Sequence, residues 1–386
     1  MIKEFIKKEK ERLKLLKAFR EAEICKIIRK NNQLIYHYPK IHSIKFKEKY
    51  AEYVFTIPIG ISPSFADNPF VFRQTFGHNI EFKKAKNDKT FTLRVYKKDL
   101  PKKVLYTITG IEKELQKMRA PILFGVDRTD EMVIADLQKF PHLFVSGVTG
   151  GGKSQFIKQM LLTMIKVKQP SELQFVFADL KRADLPIFED VEHVRTVAKD
   201  LNQLEIAMLE IETELDKRCD LLDKFKVSNI NDILGDKLPT IVVILEEYTL
   251  CSESKEVERI AKKIANVGRA VAILLVVIIQ RGSADNMPSS LKSQLSIRIS
   301  FRQSDKVNAK VAGLEEAKDI ALDERGRAIV EIEEKKFIQT MFIDDITLKK
   351  ELKAFIRQKD RKPTTKENEQ PEIIVEADIF GVIEDE

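Results

Sequence analysis

The chain has 386 residues, of which 43% are hydrophobic and 33% are charged. This balance excludes a fibrous or wholly disordered protein and leaves room for two or three globular domains. The formal net charge of +7 permits a polyanionic partner such as nucleic acid. It does not require one, because many basic cytosolic proteins carry a similar charge.

The cysteines and the apolar runs indicate a cytoplasmic protein. Cys25, Cys219 and Cys251 lie far apart and lack the CxxC spacing, which predicts neither a zinc site nor a disulfide framework. The longest apolar run, 270–279, is too short to cross a bilayer, which takes about 20 helical residues. The N-terminus is charged from Lys3 onward and has no apolar signal core. We therefore expect a cytoplasmic location and no membrane span.

Residues 1–33 are predicted to form a basic N-terminal helix. Lys and Arg total 15 over the first 50 residues, whereas Asp and Glu total 6. Two interpretations stay open, a helix that packs on its own domain and a helix that contacts nucleic acid or a membrane surface. The apolar residues that recur at about helical spacing are Ile6, Leu13, Leu16, Phe19, Ile24 and Ile27.

Residues 34–120 are predicted to form a small α+β domain. The segments 53–59 and 90–96 have the apolar patterns of strands, and Ser62-Pro63-Ser64 can begin a helix that runs to about Phe76. Residues 101–135 are predicted to be a connecting segment, in which 122–127 and 132–135 have the pattern of a short hairpin.

Residues 121–345 are predicted to form an α/β domain. Continuous apolar strands separated by longer helical stretches are typical of a parallel sheet that is covered on both faces. Residues 346–386 are predicted to be the end of a helix and an acidic disordered tail, which has no basic residue after Lys366 and could also dock a partner. The predicted strands are 143–146, 173–178, 241–245, 273–279, 297–301 and 327–332.

A phosphate-binding loop lies between the first of these strands and a predicted helix, 155–166. It matches the pattern GxxxxGK[ST], in which glycines let successive N–H groups face phosphate oxygens and the helix N-terminus adds a partial positive charge. Lys153 is placed to reach the β- and γ-phosphates of ATP, and Ser154 to bind Mg²⁺. The loop consists of Gly147, Val148, Thr149, Gly150, Gly151, Gly152, Lys153 and Ser154.

Two adjacent carboxylates follow the predicted strand 241–245. Open α/β sheets bind ligands at the carboxyl ends of their strands, where Glu246 and Glu247 are expected to lie. We predict that Glu246 holds Mg²⁺ and that Glu247 polarises the attacking water. Glu246 departs from the usual Asp by one methylene.

Two further polar positions flank the apolar strand 273–279. Gln280 and Arg281 follow it, where a side chain can sense the γ-phosphate, and Arg269 precedes it. An arginine at that point could reach the site of a neighbouring subunit as an arginine finger. Each could equally be an ordinary surface residue.

Together these motifs resemble the motor domain of the FtsK/SpoIIIE family of DNA translocases. The resemblance covers about 122–332, a little over half of the chain. Its further elements are Phe124-Gly125-Val126-Asp127, Ala135-Asp136-Leu137, Pro141-His142-Leu143, Phe177-Ala178-Asp179-Leu180-Lys181, Glu246-Glu247-Tyr248 and Arg298-Ile299-Ser300-Phe301.

The resemblance implies a RecA-like core, a homo-hexameric ring on double-stranded DNA, and translocation driven by ATP and Mg²⁺. It implies that Arg269 is the arginine finger and Gln280 the sensor. The chain departs from the long chromosomal members, because it has no N-terminal membrane helices and nothing after Phe342 resembles their winged-helix domain. Such short forms resemble those of plasmids and integrative elements, which act in conjugative transfer or mobilisation with a relaxase or a membrane channel.

Two other functions stay open at this stage. A related hexameric ATPase could drive protein secretion instead of DNA movement. A nucleotide-binding protein with poor hydrolysis is a third possibility, because of the departure at Glu246.

Overall fold

The structure is a computed structural model that describes residues 2–30, 33–67, 69–85, 87, 89–234, 238–280 and 287–357. The strands are β1 (Lys26–Lys30), β2 (Gln33–His37), β3 (Lys40–Phe46), β4 (Tyr50–Thr56), β5 (Ile80–Lys84), β6 (Thr90–Tyr96), β7 (Val104–Leu105), β8 (Pro121–Asp127), β9 (Met132–Asp136), β10 (Leu143–Ser146), β11 (Leu173–Ala178), β12 (Val194–Ala198), β13 (Thr240–Leu245), β14 (Ile273–Ile279), β15 (Ile297–Phe301), β16 (Arg327–Glu331), β17 (Lys335–Gln339) and β18 (Met341–Phe342). The helices are α1 (Ile2–Glu21), α2 (Ser64–Asp67), α3 (Phe70–Phe76), α4 (Glu112–Lys117), α5 (Lys153–Val167), α6 (Leu201–Phe225), α7 (Asn231–Leu234), α8 (Tyr248–Cys251), α9 (Lys255–Val271), α10 (Ser289–Lys292), α11 (Lys306–Ala312) and α12 (Asp345–Leu352).

A ten-stranded sheet forms the centre of the larger domain, in the order β12-β11-β13-β14-β10-β15-β16-β17-β8-β9. The pairings from β12 to β15 are parallel, and those from β15 to β9 are antiparallel. The prediction of an α/β fold with a mostly parallel sheet is confirmed. The predicted hairpin at 122–135 is confirmed as well, since β8 and β9 pair antiparallel.

Helices cover both faces of this sheet. Apolar residues of α5 pack on one face, and those of α6 and α9 pack on the other. Strands β13 and β14 are buried along their whole length, which explains their continuous apolar sequences. Because β10, β11, β13 and β14 run parallel, their carboxyl ends meet at one edge of the sheet.

The smaller domain is built on the antiparallel sheet β3-β4-β6-β5. Its core joins one face of α1 with aromatic residues of α3 and of the sheet, and the ring of Phe19 meets that of Phe55 edge-on at 4.8 Å. The domain limits at 34–120 and 121–345 stay predictions.

Helix α1 ends at Glu21, so the prediction of a helix through residue 33 was wrong. Glu23 takes a left-handed conformation with φ of 54°, which ends the helical path. The following Ile27 and Ile28 are β-branched and lie in β1, which pairs with β2. The buried face of α1 consists of Leu15, Ala18 and Phe19, whereas Ile6 and Leu13 are exposed.

The helix predicted from Ser62 to Phe76 is divided into α2 and α3. Pro69 lies at the break, where its ring fixes φ and its nitrogen has no hydrogen to donate. None of the helices in the described part of the chain combines the length and the apolar character that a bilayer crossing requires. The predicted acidic tail falls in 358–386, outside the described residues.

His142 gives the larger domain a pH-dependent stability. The side chain is 1% exposed, its Nδ1 accepts a hydrogen bond from the Leu275 N–H at 3.0 Å, and burial lowers its pKa from 6.5 to about 4. Between these pH values His142 is therefore protonated in the unfolded chain and neutral in the folded chain. It follows that folding stability is lost as the pH falls from about 6.5 towards 4, by up to about 3 kcal/mol.

We expect His142→Asn to reduce this acid sensitivity. Asn keeps an acceptor for the Leu275 N–H and tolerates the positive φ of 64° at this position. The measurement is the free energy of unfolding in urea at several pH values between 7 and 4. The difference between the wild type and the variant should shrink with falling pH, and two parallel curves would contradict the prediction. His78→Asn, at an exposed position, is the matched control.

Candidate nucleotide-binding site

The phosphate loop connects β10 to α5 and lies against two other segments of the domain. The backbone φ is 145° at Gly147 and 119° at Gly152. A Cβ atom on Gly147 would lie 2.7 Å from the Cβ of Phe301, and one on Gly152 would lie 2.8 Å from the Cα of Gly326. Only glycine allows both the conformation and the close approach.

Backbone hydrogen bonds hold the loop in this position. The Val148 N–H donates to the Arg302 carbonyl at 3.0 Å, and the Gly326 N–H donates to the Gly151 carbonyl at 2.9 Å. The loop is therefore joined to the end of β15 and to the turn before β16. The loop lies between a strand and a helix, β10 and α5, as predicted.

Lys153 is the first residue of α5, and its side chain folds back over the loop. Its ammonium group donates to the Gly147 carbonyl and, at 3.2 Å, to the Val148 carbonyl. Burial lowers the pKa of Lys153 to about 8, and the nearby carboxylate of Glu247 opposes that shift. The ammonium thus lies on the loop itself, where a bound phosphate would be its natural counter-ion.

Glu246 and Glu247 follow β13, and each is 5% exposed. Burial raises the pKa of Glu246, and the neighbouring Asp179 and Asp184 raise it further. One carboxylate oxygen of Glu246, Oε2, has no hydrogen-bond partner among the described residues. A buried carboxylate with one oxygen that accepts no hydrogen bond fits a role as a cation ligand.

Glu247 is held from several sides. Its carboxylate accepts from the Lys181 ammonium at 2.8 Å and from the Thr249 hydroxyl at 2.8 Å. Its φ of 65° places it in the left-handed region, which a non-glycine residue seldom adopts. The contacts with neighbouring residues therefore hold Glu247 in a backbone conformation that it would not adopt by its own preference.

Gln280 lies beside both Glu247 and the phosphate loop. Its side-chain carbonyl accepts from the Thr149 hydroxyl at 3.4 Å, and its backbone N–H donates to the Glu247 carboxylate at 3.5 Å. The structure thus brings Gln280 to the site as the sequence predicted, whereas Arg281 falls outside the described residues.

Arg269 is an exposed residue in the last turn of α9, at the end of the sheet where β14 begins. The carboxylates lie where the strands end, and the seven residues of β14 separate the two edges by roughly 20 Å. Arg269 is therefore not part of the site on its own chain. Its predicted role in a neighbouring subunit stays a prediction.

Asp184 belongs to the site and was missed by sequence reasoning. Its carboxylate accepts a hydrogen bond from the Ser154 hydroxyl at 2.5 Å. The loop after β11 bends back because the carboxylate of Asp179 accepts from the backbone N–H groups of Ala183 and Leu185, both at 3.2 Å. One sequence feature could have indicated it: Asp184 follows shortly after β11, and β11 ends at the same edge of the sheet as the strand before the phosphate loop.

A cavity of about 590 Å³ extends from the loop and the carboxylates to an apolar wall. This wall is built by the short strands β7 and β18, which pair in parallel. The ammonium of Lys103 lies 4.2 Å from the ring centre of Phe342 on that wall. The apolar wall comprises Val104, Ile157, Met341 and Phe342.

The residues present suit ATP and Mg²⁺. Glycine N–H groups and a buried lysine fit a polyphosphate, and the apolar wall fits a nucleobase. Oxygen ligands suit Mg²⁺, and the Ser154 hydroxyl lies beside the Asp184 carboxylate. Glu246, whose Oε2 has no hydrogen-bond partner among the described residues, lines the same cavity.

Comparison with known proteins shows the family to which the chain belongs. The profile of the FtsK/SpoIIIE family matches residues 105–321, which is more than half of the chain. The chain belongs to the FtsK/SpoIIIE family. Members of this family are ATPases, so the predicted family and enzyme class are confirmed.

Curated relatives match about half of the chain. The DNA translocase FtsK of Helicobacter pylori strain J99 is 30% identical over 221 residues, which are 54% of this chain and 26% of the relative. The DNA translocase FtsK of Haemophilus influenzae is 30% identical over 227 residues, which are 50% of this chain and 43% of the relative. The chain thus spans from about a quarter to less than half of their lengths.

Solved structures show the same fold. The pCW3 conjugation coupling protein TcpA, solved with ATPγS, has a TM-score of 0.58 at 19% identity, covering 87% of this chain and 97% of TcpA. The cytoplasmic domain of the Type VII secretion ATPase EccC of Thermomonospora curvata has a TM-score of 0.56 at 20% identity, covering 62% of this chain and 31% of EccC.

We expect Asp184→Asn to weaken the response of the protein to Mg²⁺. An amide removes the negative charge beside the Ser154 hydroxyl, so the Mg²⁺ concentration that gives half-maximal ATP hydrolysis should rise roughly tenfold. ATP binding measured in the presence of a chelator should change little. Asp190→Asn, an exposed acid in the same segment, is the control, and equal Mg²⁺ curves for the two variants would rule out a metal role for Asp184.

Proposed function

We propose that this chain is an ATP-hydrolysing motor that moves double-stranded DNA, acting in conjugative transfer or mobilisation of a plasmid or integrative element. The observation that carries the proposal is the convergence of three elements at one edge of the sheet. The phosphate loop, the fixed carboxylate of Glu247 and the amide of Gln280 meet there through direct hydrogen bonds.

The residues divide the chemistry among them. The loop N–H groups and Lys153 would hold the phosphates, and Ser154 with Glu246 and Asp184 would hold Mg²⁺. The cation, when bound, would neutralise negative charge that develops on the β- and γ-phosphates. Glu247 would orient the attacking water, since Lys181 and Thr249 hold its carboxylate beside the loop.

Double-stranded DNA as the substrate is supported by the sequence relatives. The curated relatives named here are DNA translocases, although the chain covers less than half of each. The formal net charge of +7 suits a polyanion. A conjugative role is supported by the likeness to TcpA, which extends over 87% of this chain. A cytoplasmic location with a relaxase or a membrane channel as partner belongs to the same proposal.

A hexameric ring is supported by the position of Arg269. The residue is exposed and lies on the edge of the sheet opposite its own phosphate loop. An arginine finger at that position could act only on a nucleotide bound to another copy, as a closed ring of copies provides.

Protein secretion is the second candidate. Its support is the likeness to EccC, with a TM-score of 0.56. We favour DNA because the sequence relatives at 30% identity are DNA translocases, whereas EccC shares 20% identity.

We expect ATP hydrolysis that double-stranded DNA stimulates and that Lys153→Ala abolishes. The stimulation should weaken as salt rises, because contacts to DNA phosphates release counter-ions. Phosphate release is measured with and without DNA at several salt concentrations, with Lys166→Ala on the same helix as the control. A rate of ATP hydrolysis at low salt that is the same with and without DNA would overturn the DNA proposal. Co-purification of secreted proteins would favour a role in protein secretion.

We expect Arg269→Ala to be inactive alone and to regain activity when mixed with Lys153→Ala. In a mixed ring, an intact phosphate loop of one copy can face an intact Arg269 of its neighbour. Phosphate release from mixtures at varied ratios measures this rescue. Activity of Arg269→Ala alone near the wild-type level would contradict a finger role, and so would mixtures without rescue in which mass measurement shows mixed assemblies.

A further inference from the structure

The β1–β2 hairpin is an exposed apolar feature of the smaller domain. Every residue of both strands is exposed, and the large side chains Ile27, Leu34 and Tyr36 are 53%, 56% and 49% exposed. None of its strand residues belongs to an apolar cluster of the described chain. Such surface is unusual in a soluble protein unless something covers it.

The register places apolar side chains on both faces of the hairpin. Ile28 lies opposite Ile35 on one face, and Ile27 lies opposite Tyr36 on the other. Buried residues anchor the hairpin at its base, where Ile24 lies in the core of the smaller domain and Tyr38 packs against it. The strands themselves extend beyond that core.

The hairpin is also basic. The sequence from Ile24 to Lys47 contains six lysines and arginines and no acidic residue. The hairpin strands themselves carry Lys26, Arg29, Lys30 and His37. A partner that suits this surface must therefore be both acidic and apolar.

The C-terminal tail of the same chain has that chemistry. Residues 367–386 contain eight acidic residues and no basic residue. The acids alternate with apolar residues in the segment 372–380, Glu-Ile-Ile-Val-Glu-Ala-Asp-Ile-Phe. Its β-branched residues favour an extended conformation, and a two-stranded sheet presents open edges to which an extended segment can add.

The position of Arg357 indicates which copy supplies the tail. The Arg357 N–H donates to the carbonyl of Asp190, beside β12 at one edge of the central sheet. The smaller domain contacts the other half of the sheet, through Lys83 with Glu334 and Lys49 with Thr129. Six to nine strand spacings of about 4.8 Å put roughly 30 to 40 Å between these regions, and the 14 residues 358–371 reach about 45 Å only when fully extended. If a second copy supplies the tail, residues 358–371 need not be fully extended.

We propose that residues 372–380 of a second copy bind along an open edge of the β1–β2 hairpin. Main-chain hydrogen bonds extend the sheet, Lys26 and Lys30, which share one face of β1, face the acids of the tail, which also share one face of an extended segment, and the isoleucines of the two segments pack against one another. DNA is a less suitable occupant of this hairpin, because a phosphate backbone leaves the exposed isoleucines in water.

The test is photo-cross-linking in the full-length protein. The photoreactive amino acid p-benzoylphenylalanine replaces Tyr36, and mass spectrometry identifies the cross-linked peptide. Mixing unlabelled protein with protein labelled with heavy nitrogen distinguishes links between copies from links within one chain. We expect links between copies that reach 372–380, and the same probe in place of the exposed Leu322 serves as the control.

Charge reversal provides the second arm. Lys26→Glu with Lys30→Glu should lower the cross-link yield roughly tenfold, and adding Glu372→Lys with Glu376→Lys should restore it. Links within one chain, links to another segment or an absence of links would each overturn the proposal. A loss of DNA affinity in the Lys26→Glu, Lys30→Glu variant, without tail links in the parent protein, would also overturn it and assign the hairpin to DNA.

Discussion

The candidate site depends on one steric constraint, the absence of room beside the phosphate loop. The loop lies against Phe301 of β15 and against Gly326 so closely that a Cβ atom on Gly147 or Gly152 would overlap its neighbour. The loop can occupy this position only because β15 pairs with β10 and β16 pairs with β15. Residues at the ends of β15 and β16 thus contact the loop directly. The parallel strand β13 places Glu246 and Glu247 at the same edge of the sheet.

Burial acts on two charged groups of the site. It lowers the pKa of Lys153 and raises that of Glu246, so desolvation disfavours the charged form of each. A bound triphosphate with its cation would supply a negative charge to Lys153 and a positive charge to Glu246. The protein groups of this site therefore suit that ligand.

The sequence predicted the centre of the larger domain well, for a physical reason. Strands buried on both faces must be continuously apolar, and the predicted bounds of β10, β11 and β14 match the structure residue for residue. The phosphate loop was equally predictable, since its chemistry requires fixed residues at fixed spacing. Gln280 was found because it directly follows one of these strands.

Other parts of the fold were beyond the reach of local patterns. Strands β12 and β17 were missed because polar residues interrupt their apolar ones. The contact of Asp184 with Ser154 depends on a loop that Asp179 bends back, and the apolar wall combines β7 with β18, which are far apart in sequence. The end of α1 was misjudged because apolar spacing continued into residues that instead form the hairpin.

The turn that contains Gly326 is bonded on two sides. On one side, its N–H is bonded to the Gly151 carbonyl of the phosphate loop. On the other side, the guanidinium of the next residue, Arg327, donates to the Leu100 carbonyl at 3.3 Å and lies 3.8 Å from the Asp99 carboxylate. The phosphate loop and residues 99–100 therefore share one direct neighbour, the turn at Gly326 and Arg327, although they lie about fifty residues apart in the sequence.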